Sequence, residues 1–386
     1  MDLYQLMTQK LTNIFMYGQK INLYISVILV ILLTYPIFCN SDQANKTINE
    51  KSNWMSGNWG LRVLLPAGNI KEVKKYDPVK LVNQIKQLKS MKWVMLNLTS
   101  GGYGGRFTAP NSILKGKVID DYFPERDLLL ETINLLKKNN YKVIVYFAAD
   151  GPLANTLYNR SVNEDRETKR IANKYLKNKK SWENYLVDTK KTNDQLLSEI
   201  IEYYSEKYGK KIDGWWFDHG KWGDPEKYIK AAKTGNPDAK VAWNDKKKNI
   251  QISILPSKII NLWCMERSHI NEDFTAGHIT PIRTIEPWSH FNDLVIQDVE
   301  NTKHKGDTKS GIQSHIFIPL QRTWRGGETR FTSEQIKNWT RRVISSDGAI
   351  TWAIAMRSPE HQYPGVSLEQ FKLLKALDQS ILNNEN

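Results

Sequence analysis

The sequence predicts an α/β protein of the (β/α)8, TIM-type barrel class, and three observations carry the prediction. From about residue 57 onward, apolar, β-branched and aromatic runs alternate with amphipathic helical patterns. Eight such runs can be counted, at 60–66, 93–99, 142–149, 212–218, 240–245, 259–265, 315–321 and 349–355. Their hydrophobicity is near-continuous, as it is in parallel strands covered on both faces. In a barrel of this kind the catalytic groups stand at the C-terminal strand ends.

The helices between the strands follow in order. GLRVLLP at 60–66 leads to a helix over 78–91, which Asp77-Pro78 opens with a capping carboxylate and a first-turn proline. WVMLNLT at 93–99 is followed by a helix over 125–139 and then KVIVYFAA at 142–149. Residues 151–193 make a long polar, lysine-rich excursion, read as a small helical lobe. Thr192-Asn193 starts a helix over 193–208. The strand at 212–218 stops at Gly220, Gly223, Asp224 and Pro225, and Asp224-Pro225 begins the next helix, over 225–233. KVAWND at 240–245 and IINLWCM at 259–265 give strands five and six, although 246–314 is the least regular stretch. HIFIPLQ, a helix over 333–345 opened by Thr332-Ser333-Glu334, AITWAIA and a helix over 367–382 complete the chain.

The chain has 386 residues, 40% hydrophobic and 25% charged, which suits one large soluble domain, placed at 57–386 behind a linker at 42–56. The 13 Trp and 17 Tyr supply a large core or flat surfaces that stack on sugar rings. A net charge of +14 favours polyanionic partners. Much of the excess lies in lysine runs such as Lys246-Lys247-Lys248, and no zinc-finger, helix-turn-helix or RNA-binding signature accompanies it, so nucleic acid is not expected. Residues 21–38 are uncharged and apolar, preceded by Lys10 and Lys20. That order is a cleaved export signal or a retained N-terminal anchor within 1–41, and it implies a secreted, periplasmic or cell-surface protein. Removal of the segment would leave Cys264 alone, so no internal disulfide is expected.

Placing the strand ends on one face gathers Asn97, Asp150, Asp218, Asn244, Asp245, Glu266 and Gln321. The sharpest of these is Asp218, at the end of Ile212-Asp213-Gly214-Trp215-Trp216-Phe217-Asp218-His219-Gly220. Tyr103 and Arg106, on the glycine-rich loop after the second strand, can reach the same face, as can His219 and Trp324. Arg106, Arg322 and Arg325 are suited to sulfate or carboxylate groups through forked hydrogen bonds. The glycine loop has no following helix and no Lys-Ser/Thr, so it is not a nucleotide site. The seven histidines lack zinc-type spacing and the acidic residues form no calcium loop, so no metal or other cofactor is expected. His315 begins a strand and belongs to the opposite, stabilising face.

The Trp-Trp-Phe-Asp strand end resembles the nucleophile strand of the family 29 glycoside hydrolases, the retaining α-L-fucosidases. Val241-Ala242-Trp243-Asn244-Asp245 resembles the Asn-Asp pair ending their next strand, and Glu272 through His278 resembles the loop of their acid/base. Two departures matter. The second strand end carries Leu98-Thr99-Ser100-Gly101 where those enzymes have a His-His-Asp cluster, and His278 stands where they hold a Glu. Both point to the related family 107, the fucanases that cut sulfated fucans.

The resemblance implies a retaining hydrolase with Asp218 as nucleophile and His278 as acid/base, while the strand-end and loop residues Asn97, Tyr103, Arg106, His219, Asn244, Asp245, Glu266 and Trp324 are expected around the substrate. Glu266 remains the rival for the acid/base role. An imidazole of ordinary pKa near 6.5 can donate and accept a proton near neutrality without the burial a carboxyl group requires. The expected partner is an acidic or sulfated polysaccharide, with membrane contact only through an uncleaved N-terminal segment. An exo-acting α-L-fucosidase and a non-catalytic barrel binding acidic glycans stay open as alternatives.

Overall fold

The computed structural model describes residues 53–383 except 69–70, 100–105, 119–121, 154–165, 246–248, 256–257, 264–266, 279–292, 294, 302–311, 322–323, 325–327 and 355–365. Nine strands lie among them: β1 (Asn58–Val63), β2 (Trp93–Asn97), β3 (Lys142–Ala148), β4 (Gly214–Asp218), β5 (Lys240–Trp243), β6 (Asn249–Leu255), β7 (Lys258–Trp263), β8 (His315–Pro319) and β9 (Ala349–Ala353). The named helices are α1 (Lys71–Lys75), α2 (Pro78–Ile85), α3 (Leu128–Lys138), α4 (Arg166–Thr189), α5 (Asn193–Tyr208), α6 (Pro225–Ala232), α7 (Ser333–Ser345) and α8 (Leu368–Leu382). Seven strands form one curled half-barrel sheet in the order β5-β4-β3-β2-β1-β9-β8, and every neighbouring pair is parallel.

The helices expected at 78, 193, 225 and 333 start there, while the one expected from 125 begins at Leu128 behind Asp127. Asp77 accepts from Val79 N (2.9 Å) and Lys80 N (3.2 Å) ahead of Pro78. Thr192 with Gln195, and Thr332 with Gln335, form reciprocal capping boxes that satisfy otherwise orphaned N–H groups. The excursion after β3 is helical through α4, as expected of a lobe there.

Alternation along the strands sorts side chains into two cores. Val143, Val145, Trp215, Phe217, Val241, Ile316, Ile350 and Trp352 belong to the larger one. They share it with buried helix residues such as Leu196, Leu197, Ile200 and Ile201 of α5, each worth about 1.5–3 kcal/mol in removal from water. The opposite pleat carries Trp93, Met95, Ile144, Tyr146, Trp216, Ala242, Phe317 and Ala353, a second and smaller core on the sheet's inner face.

One strand expectation fails. The run at 259–265 is not a strand of the main sheet: β7 pairs antiparallel with β6 as a separate two-stranded ribbon. The cause is legible in NIQISIL and KIINLW, where polar residues interrupt the apolar ones and only two residues separate the strands. Such a pair closes locally as a hairpin, whereas a parallel strand needs a long crossover.

Residues 272–278 run between β5 and β8 instead. Asp273 N donates to Val241 O (2.8 Å) on one side. On the other, Thr275 N donates to Gln313 O (3.0 Å) and Phe317 N to Gly277 O (2.9 Å). Gly277 has φ +59 and lies so close to β8 that a Cβ there would fall 1.9 Å from His315 O, so only glycine fits.

Candidate active site

Asp218 ends β4 on the inner pleat and is only 6% exposed. Its Oδ2 accepts from the Tyr146 hydroxyl at 2.7 Å, and its Oδ1 accepts from Asn244 Nδ2 at 2.7 Å and His219 N at 2.9 Å. The parallel register explains the first bond. Tyr146 faces Trp216 across β3 and β4, their rings stack at 5.4 Å, and the phenol tip reaches the residue two further along the pleat. Burial, with the Asp218 carboxylate second, pushes the Tyr146 phenol well above its ordinary pKa, so it stays a donor.

His219 follows in the left-handed region, φ 58, which turns its imidazole back beside the carboxylate. Nε2 lies 3.5 Å from Asp218 Oδ2, and Nδ1 lies 2.5 Å from Oδ2 of Asp150, a buried residue just beyond β3. Burial raises the pKa of Asp150, and the His219 imidazole opposes that shift.

His278, at the end of the 272–278 segment, is buried in an aromatic wall. Its ring stacks on Trp324 (4.2 Å, 21°) and on Trp216 (5.7 Å, 25°), with Phe317 edge-on at 5.9 Å. Trp216 Nε1 donates to Ala276 O at 3.0 Å, tying β4 to this segment. Trp216 therefore carries Tyr146, the partner of Asp218, on one contact and His278 on another.

Three further residues complete the surroundings. Arg62, on the inner pleat of β1 and 5% exposed, donates through Nη1 to Trp324 O at 2.9 Å. Its guanidinium stands 5.7–5.9 Å from the Phe317, Tyr146 and Trp324 rings, within cation–π range. Glu272 accepts from Trp243 N (2.5 Å), His269 N (2.9 Å) and Ser268 N, which fixes the start of the segment bearing His278. Burial pushes its carboxyl up to about 8, against the three N–H donors that favour the ionised form. Tyr146 is the third. A charge inside an apolar strand was the available sign for Arg62, while Tyr146 needed the strand register.

The other expected positions divide. Asn244 and His219 touch Asp218, and Trp324 touches His278. Asp245 is buried, and its charge contributes to the rise of Glu272. Asn97 binds both backbone atoms of Leu65, accepting from N at 2.5 Å and donating to O at 3.2 Å, and so pins the chain after β1. Gln321 accepts from Gln370 of α8 at 3.2 Å, also a framework contact. Arg106 is half-buried beside Tyr122, whose hydroxyl is pushed up by burial and drawn back by that charge. Tyr103, Glu266, Arg322, Arg325 and the apolar stretch at 21–38 lie outside the described residues. His315, at the start of β8, is fully buried between Thr275 O (3.1 Å) and Thr351 Oγ1 (2.8 Å), and burial lowers its pKa to about 4.

A curled parallel sheet with a donor-held carboxylate at a strand's C-terminal end, next to aromatic rings suited to sugars, has the make-up of a glycoside hydrolase. The chain belongs to the family of the endo-α(1,4)-fucoidanase Mef1, whose family model matches residues 49–254 and 256–386. Among solved structures it is similar to the endo-fucoidan hydrolase P5AFcnA of glycoside hydrolase family 107, with TM-score 0.68 and 17% identity over 84% of this chain and 91% of that one. It is also similar to the family 107 endo-fucoidan hydrolase MfFcnA4, with TM-score 0.63 and 19% identity over 85% of this chain, though it spans only 53% of that enzyme. A bacterial fucosidase bound to a pyrrolidine inhibitor is more distant, with TM-score 0.50 and 12% identity over 90% of this chain and 76% of that one. A search of curated proteins by sequence returns no match. The resemblance drawn from the Asp218 motif is borne out, nearer to the fucanases than to the fucosidases.

Proposed function

We propose that this chain cleaves α-L-fucosidic linkages within a sulfated fucan with retention of configuration, Asp218 acting as nucleophile and His278 as acid/base. The observation that carries the reading is the Asp218 carboxylate itself, gripped by Tyr146 and Asn244 and joined through the Trp216 ring to His278. In the first step an Asp218 oxygen bonds to the anomeric carbon as the glycosidic C–O bond breaks, and His278 gives its proton to the leaving oxygen. In the second, water attacks that carbon, its proton passes to His278, and the Asp218 ester is released. Trp216 and Trp324 stack on the His278 ring and fix its plane beside the site.

The family's endo-acting description favours internal cutting over exo release. The net charge of +14 and the buried Arg62 suit an anionic chain. We read the seven-strand sheet together with residues 272–278 as a (β/α)8 barrel over 57–386, because that segment is hydrogen bonded to β5 and to β8. Export behind the 21–38 segment fits a polymeric substrate outside the cell.

The test is Asp218→Asn on a sulfated fucan. It abolishes release of reducing ends while the thermal melt stays cooperative, since an amide cannot form the ester. Retained turnover would sink the nucleophile assignment. On the wild type, an α-configured first product and a rapid fall in polymer length are expected. A β product would refute retention, and monosaccharide as the sole early product would restore the exo reading.

A further inference from the structure

We propose that His219, oriented by Asp150, is a positioning residue that holds the Asp218 carboxylate in place and in its ionised form, an inference that rests on the reading of Asp218 as the nucleophile. The backbone argues first. His219 is a non-glycine residue with φ 58, a conformation that costs about 1–2 kcal/mol and that glycine adopts freely. A plain strand stop needs no imidazole in that position. What the turn achieves is to bring Nε2 to 3.5 Å from Asp218 Oδ2 while the same residue's N–H holds Oδ1 at 2.9 Å.

The second argument is Asp150. It comes from the end of the neighbouring strand β3, is 3% exposed, and sets its Oδ2 2.5 Å from His219 Nδ1. A carboxylate on Nδ1 fixes which nitrogen faces the site, as in the buried Asp–His pairs of hydrolases. The imidazole therefore lies between two carboxylates, and a proton on each ring nitrogen gives both of them a favourable partner. Among the described residues, the groups around it include Asp150 and Asp218 directly, Tyr146 on the far side of Oδ2, and Arg62 5.8 Å from the Tyr146 ring. Burial penalises a bare charge on Asp150, and the imidazole opposes that penalty. His219 is badly placed as the acid/base, because its Nε2 lies on the nucleophile's own oxygen, whereas that group works about 5 Å away, across the scissile bond.

The test compares pH profiles of kcat/KM on a sulfated fucan for wild type, His219→Gln, Asp150→Asn and the double variant, with melts recorded in parallel. In His219→Gln the acid limb moves up by about one pH unit, the size expected for loss of an opposite charge at this range. Asp150→Asn moves it the same way by a smaller amount, because the lost carboxylate also repelled Asp218, and the double variant is within about twofold of His219→Gln, because Asp150 acts mainly through the imidazole. An unmoved acid limb in a folded His219→Gln, or fully additive losses in the double variant, overturns the inference. Where His219→Gln does not fold, Asp150→Asn decides alone by the same limb. Asp218→Asn separates the two levels: turnover in that variant removes the nucleophile reading, whereas an inert Asp218→Asn with an unmoved limb in His219→Gln removes only the positioning role of His219 and Asp150.

Discussion

Replacing Tyr146 by Phe takes away one oxygen and leaves the inner wall standing. The ring that stacks on Trp216 at 5.4 Å keeps its shape, so packing changes little, and Asn244 and the His219 N–H still hold Oδ1. What is lost is the 2.7 Å bond to Oδ2 of a buried carboxylate. A hydrogen bond to a charged group is worth about 1.5–3 kcal/mol. At about 1.4 kcal/mol per pH unit, that moves the protonation of Asp218 up by about one to two units. The sign is fixed: the hydroxyl favours the ionised carboxylate, so removing it lets the proton stay on to higher pH. Because burial keeps the phenol protonated well beyond its ordinary range, the wild-type hydroxyl remains a donor throughout the measurable profile. The assay is kcat/KM against pH on a sulfated fucan. An acid limb that rises by about one to two units is expected, with activity at high pH reduced far less than at low pH. A limb that stays where it was, in a variant with an unchanged melt, refutes the claim that this bond tunes the Asp218 carboxylate.

Three further outcomes follow from the same contacts. His315 has a folded-state pKa of about 4 against 6.5 unfolded, so its contribution to stability is present above 6.5 and lost as pH falls through 4; about 3 kcal/mol disappears across that window, and denaturant titration of His315→Gln should show a flatter acid dependence. Gly277→Ala places a methyl group against His315 O in a left-handed conformation, so a melt lowered by several degrees and a loss of turnover through displaced His278 are expected; an unchanged melt would contradict that close approach. Trp324→Ala removes a stacked ring 4.2 Å from His278, worth about 0.5–1.5 kcal/mol, so kcat should fall up to about tenfold, while an unchanged kcat would separate Trp324 from the chemistry.

Much of the fold was legible in the chain. The caps at Asp77, Thr192, Asp224 and Thr332 are local side-chain to backbone bonds, and each helix starts where its cap stands. Seven of the eight expected strands are present because a doubly covered parallel strand must be apolar at nearly every position. The 259–265 run failed because hydrophobicity alone does not distinguish a sheet strand from one arm of a hairpin, and the deciding partner, 249–255, is itself local. Residues 272–278 escaped the strand count because their bonds to β5 and β8 involve glycine, threonine and acidic residues, with no apolar run to mark them.

Short-range pattern and residue type were enough for the α/β class, for the carboxylate at the end of β4 and for the family whose motif surrounds it. Asn244, His219 and Asp150 were gathered near Asp218 by their places at strand ends, but the contacts themselves, and the roles of Tyr146 and Arg62, came from the tertiary structure. Tyr146 reaches it through strand register, Asp150 meets His219 across two strand ends, and Arg62 joins the wall through the curl of the sheet. Each is a contact between residues far apart in the chain, and composition or spacing cannot specify such contacts until the pleats and their register are fixed.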